Sequence, residues 1–238
     1  IAMLALRLET ISSGRRKMTD PFNGLMLPWQ NAQAPMAEVV RWGNFPGYNQ
    51  SLLAHNNSIP YVLMWIQSRL CDRGDIDWLL LTQAIQSHDQ GEPLSGGDEH
   101  AGNKTNDKDL QEYLAVREYM ASADYRFRQL FMRAFLLQYV RKPQWWSYMS
   151  DDCRKTLVTM AAKFSREAVI FEATERLDYL ASAVEGYRRG IRNEAETMID
   201  HVLRNQVPKL DALAEEWAPL SAVWSPDLRQ QLVSLGSK

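Results

Sequence analysis

Cysteine is nearly missing from this chain: Cys71 and Cys153 stand far apart among 238 residues, each beside an aspartate. A disulfide scaffold or a thiolate zinc site needs more sulfur at closer spacing, so reduced thiols are expected. Long apolar runs are lacking too. The most hydrophobic segment is broken by Arg128 and Arg133, well short of the roughly 20 apolar residues of a membrane span. Nor is there an excess of charge of one sign: 27 Lys and Arg against 29 Asp and Glu give a formal net charge of -2. Any affinity for nucleic acid or an anionic surface must therefore come from a local patch. The order of an export signal is reversed, because the apolar residues Ile1 to Leu8 precede the basic group Arg15, Arg16 and Lys17. These absences together lead us to expect a cytoplasmic protein.

Catalytic motifs are equally scarce. Carboxylate-bridged metal centres in helical bundles use Glu-x-x-His pairs, yet none of His55, His88, His100 and His201 has a glutamate three residues before it. Glu172 and Glu175 share a helical stretch, but they fall on its polar side, where a solvated face with an ion pair to Arg176 is expected. There is no Gly-x-Ser-x-Gly elbow. The stretch Gly97, Gly102, Asn103, Lys104, Thr105 resembles a phosphate loop with one residue inserted, but polar residues precede it where a buried strand is required. No catalytic, cofactor-binding or metal-binding residue is expected on this reading, and no cofactor.

What the chain does have is apolar bulk: 45% hydrophobic residues, eight Trp and ten Met. Phe127, Phe131, Phe135 and Tyr139 recur at four-residue spacing with no acidic residue among them, predicting a helix that is apolar nearly all round. Such a helix is buried in a bundle or covered by another chain. Ser58 and Pro60 read as a helix start, and Gly74 with Asp75 as the turn of an αα-hairpin that ends near His88. Ser150, Asp151 and Asp152 open a long helix reaching about Gly190, Asn193 opens another, and Ser225-Pro226 the last. No strand pattern of period two is present.

The expected fold is therefore all-α, a bundle of five to seven helices. Residues 1-17 are expected to be a disordered or non-native leader, because Met18 begins a more ordinary run. Residues 18-87 form an aromatic-rich, mostly irregular arm plus the hairpin, with one short helix near Met36 to Trp42. Residues 88-107 form a polar linker or loop, and 108-238 the helical bundle.

Two functions follow as expectations. The first is a non-catalytic adaptor or structural subunit that binds a protein partner, or a second copy of itself, through the apolar helix and the connection Trp145, Trp146, Tyr148 and Met149. These residue types enrich interface cores. The alternative is nucleic-acid binding through Arg126, Arg128, Arg133, Arg141 and Lys142, interleaved with rings that could stack on bases. A helical enzyme with an apolar pocket is a third class, since such pockets leave no sequence motif.

Overall fold

The computed structural model describes residues 35–70, 74–95 and 106–236, with the side chain of Asn106 excepted. The leader at 1–17, the first half of the arm and residues 96–105 of the expected linker lie outside the described residues. A helical turn over 35–38 leads into a minimal antiparallel pair, β1 (Val40–Arg41) and β2 (Gln50–Ser51), with Val40 opposite Ser51. Trp42 (φ 67) and Gly47 (φ 90) take up the turn between them. The rest is all-α, and among the described residues no helix is long and apolar enough to cross a membrane.

Helix α1 (Leu52–Leu70) starts six residues before the expected Ser58, because Ser51 Oγ accepts the amide of Ala54 and supplies the cap. Pro60 consequently lies inside the helix. Leu52, His55, Ile59, Leu63, Ile66 and Leu70 form its buried stripe. Helix α2 (Trp78–Ser87) is capped by Asp77, whose side chain accepts from Leu80 N, two residues later than the expected Asp75.

Residues 88–95 correct the linker expectation. They form a 3-10 turn (His88–Gln90) and a short helix α3 (Gly91–Leu94), and His88, Asp89, Gln90, Gly91 and Glu92 are all buried. Polar composition misled here because these groups face other charged groups rather than water. Gly91 is needed for the packing: a Cβ there would stand 2.7 Å from Glu112 Cβ on α4 (Asn106–Tyr119).

Helix α5 (Tyr125–Leu136), capped by Asp124, corrects the idea of an apolar rod. Tyr125, Arg126, Gln129 and Leu130 are exposed, while Ala134, Phe135, Leu136, Leu137 and Tyr139 are buried. Its first turns lie at the bundle edge, and only the Phe127, Phe131 and Met132 side packs on the core. The chain then tightens into 3-10 turns at Leu137–Tyr139 and Pro143–Tyr148.

The expected long helix is two. Helix α6 (Asp151–Lys163), capped by Ser150, ends at Phe164, whose ψ of 30° is not helical, and α7 (Ser165–Arg188) begins anew. Helix α8 (Met198–Glu216), capped by Thr197, and α9 (Pro226–Gly236), whose Ser225 accepts from Leu228 N, complete the fold. Helix α7 is central and packs against α1, α2, α6 and α8. One hydrophobic cluster runs from Ile59 to Leu232 through both sides of the expected domain division.

Candidate metal centre

The opposite face of α7 was expected to be wetted; it is not. The side chains of Asp178 and Glu175 are only 6% and 18% accessible, because α1, α2 and the β-pair lay His55, His88, Asp89 and Arg41 over that polar stripe. His55 comes from the buried face of α1 and His88 with Asp89 from the turn after α2. Glu175 and Asp178, three residues apart on α7, point the same way. A polar cluster of this density inside a fold requires every charge to be compensated.

The geometry fixes the imidazoles. His55 Nδ1 lies 2.9 Å from Asp178 Oδ2, and His88 Nδ1 lies 2.8 Å from the carbonyl of Ile85. Both partners accept only, so both Nδ1 atoms carry the proton and donate it. The two Nε2 atoms then face each other at 3.4 Å. Around them stand Asp89 Oδ2, 3.2 Å from His55 Nε2, and Asp89 Oδ1 and Glu175 Oε1, each 3.0 Å from His88 Nε2. Asp89 Oδ2 and Glu175 Oε1 are buried and make no aligned hydrogen bond. With both imidazoles neutral, their Nε2 lone pairs would face these carboxylate oxygens, so the cluster needs positive charge, from protons on the imidazoles or from a cation.

A shared cation would supply that charge. Tetrahedral ligands about 2.0–2.1 Å from a metal are about 3.3 Å from one another, close to the separations observed here. His55, His88 and Asp89 meet the spatial requirement for a shared ion, with Glu175 against His88 Nε2 at 3.0 Å beside them. The outer bonds to Asp178 and the Ile85 carbonyl are the kind that orient metal-bound imidazoles. Mixed imidazole and carboxylate donors suit Zn²⁺, Fe²⁺, Co²⁺ or Mn²⁺ better than Mg²⁺ or Ca²⁺. The carboxylates of Asp89, Glu175 and Asp178 outnumber the single guanidinium of Arg41 by two charges when the imidazoles are neutral, which a divalent ion would balance. In its place, protons do so. Burial pulls the His88 imidazole down, but the charges of Asp89 and Glu175 hold it well above its ordinary value. For His55, burial and Arg41 pull down while Asp178 and Asp89 outweigh them, leaving it raised. Glu175 is pushed up by burial, yet the facing histidines bring it to about 2.

Arg41 lies over the ring of Tyr179, 5.2 Å from its centroid, and its buried Nη1 has no partner. Glu92, also buried, follows Asp89 by three residues in the same helical run.

The residues favoured by sequence are placed elsewhere. Trp145 is fully buried and stacked on Tyr139, with centroids 4.0 Å apart, and Met149 is buried as well. Trp146 is half-buried, its Nε1 donating to the Tyr139 carbonyl, and Tyr148 alone of the four is exposed. Of the basic set, Arg141 pairs with Glu172 and Glu216, Lys142 with Asp109, and Arg133 with Asp77. Arg128 donates to the Ala121 carbonyl, and Arg126 is exposed. The expected Glu172–Arg176 pair is present. Comparison with known protein families, with curated proteins and with solved structures finds no match.

Sequence reading passed over His55, His88, Asp89 and Asp178. One signal was available for His55: it lies in phase with the apolar stripe of α1, where a solvated side chain does not belong.

Proposed function

We propose that this chain is a metal-dependent hydrolase acting on phosphate esters. The observation that carries the reading is the grouping of His55 Nε2, His88 Nε2 and Asp89, with the two imidazole nitrogens 3.4 Å apart and each within 3.2 Å of an Asp89 oxygen, and with both Nδ1 protons committed elsewhere. Arg41, buried beside the centre with an unpartnered donor, suits an anionic oxygen of a substrate, and metal plus guanidinium is a chemical match for a phosphoryl group. His55, His88 and Asp89 would hold a divalent ion, which would supply an activated water; hydrolysis would join that water's oxygen to phosphorus, break the bond to the leaving oxygen and transfer the water's proton to it.

The test is reconstitution of EDTA-treated protein with Mn²⁺, Co²⁺ or Zn²⁺ and assay against a panel of phosphomonoesters and phosphodiesters. Activity restored by one of these ions and abolished by His88→Ala supports the reading. One tightly bound ion with no turnover on any ester would reduce the centre to a structural one.

Self-association is the second reading, favoured by the exposed apolar side chains Tyr125, Leu130 and Tyr148 on or near α5. Leu130→Glu should then convert a concentration-dependent dimer to monomer in sedimentation; a wild-type chain that is monomeric throughout removes this reading.

A further inference from the structure

Resting on the metal reading above, we infer that Asp178 is a positioning residue that fixes the tautomer of His55 and thereby sets the affinity of the centre. The two imidazoles are braced differently. His88 gives its Nδ1 proton to a backbone carbonyl, that of Ile85 at 2.8 Å, which no substitution removes. His55 gives its proton to a side chain, Asp178 Oδ2 at 2.9 Å, from another helix. Asp178 is 4% exposed and does not belong to the converging donor set of His55, His88 and Asp89. Glu175, one turn earlier on α7, faces the His88 side of the same centre at 3.0 Å. A single turn of α7 therefore supplies both a carboxylate facing His88 and the brace for an imidazole on α1.

A carboxylate in this position acts in two ways. It accepts only, so it excludes the tautomer in which Nδ1 carries the lone pair and Nε2 the proton. Its charge also raises the basicity of the ligating nitrogen, and loss of such a partner typically costs about 10–100-fold in metal affinity. Asparagine keeps the shape but has an amide that can either accept or donate, so both tautomers become available. The brace on His88 is untouched, which confines the effect to His55.

Co²⁺ is the probe. Metal-free wild type, His55→Ala and Asp178→Asn are titrated with Co²⁺ and followed by visible absorption, with thermal melting of each metal-free protein as a control on folding. Asp178→Asn should bind Co²⁺ about 10–100-fold more weakly than wild type, while its metal-free form, deprived of the carboxylate that holds the His55 proton, should still melt in one cooperative transition but at a lower temperature than wild type. His55→Ala should bind more weakly still. Equal affinity in wild type and Asp178→Asn overturns the inference while leaving the metal centre standing. No uptake by wild type sinks the metal reading itself. If Asp178→Asn does not fold, 15N NMR of histidine-labelled wild type with Zn²⁺ settles the point: a protonated Nδ1 and a metal-bound Nε2 on His55 support the inference, and the reverse assignment overturns it.

Discussion

At the scale of single residues, the centre sets protons against metal. The raised His55 and His88 imply that the metal-free fold holds protons there. A group whose folded pKa is raised contributes stability that is complete below its unfolded value, about 6.5 for histidine, and is lost as pH rises through the folded value. Metal-free protein should therefore melt at progressively lower temperature as pH rises above neutrality, whereas protein loaded with Zn²⁺ should not, and parallel thermal scans with and without EDTA check this. Metal affinity should move the opposite way, rising with pH as protons cease to compete. Glu172 gives the converse case. Burial pushes its carboxyl up, but Arg141 and Arg176 bring it below the ordinary range. Its contribution is present above about pH 4.3 and fades as pH falls through the lower folded value, so Glu172→Gln should destabilise at neutral pH and converge with wild type in acid melts.

At the scale of elements, the site depends on how closely α3 can approach α4. Gly91 is the contact point, and a methyl group there would meet both Cβ and Cα of Glu112, at 2.7 and 3.2 Å. Gly91→Ala should cost about 1–3 kcal/mol of stability through overpacking. It should also weaken metal binding, because the turn carrying His88 and Asp89 is continuous with α3; urea melts and Co²⁺ titration read the two effects separately. Element starts were legible where a capping residue had no competitor, as at Ser150 and Ser225. They were misread where two candidates lay close together: Asp77 prevailed over Asp75, Thr197 over Asn193, and Ser51 over Ser58. The last shift matters most, since starting α1 at Leu52 is what puts His55 on a helix and on its buried face.

At the scale of the whole molecule, the aromatic residues between Phe135 and Met149 seal a single core. Trp145→Ala should cost about 3–5 kcal/mol, and circular dichroism melts should show this as global destabilisation; a variant that keeps wild-type stability would return Trp145 to the candidates for partner contact. The helical class, the bundle and the absence of a spanning helix among the described residues were written in the local pattern, because spacing of apolar side chains and capping chemistry act within a few residues. The centre was not. His55, His88, Asp89, Glu175 and Asp178 come from three separate stretches up to 123 residues apart, and each by itself reads as an ordinary polar residue. Only the packing of α1 and the turn after α2 against one face of α7 removes water from them, and it is that shared burial which makes five unremarkable side chains a site for a charge.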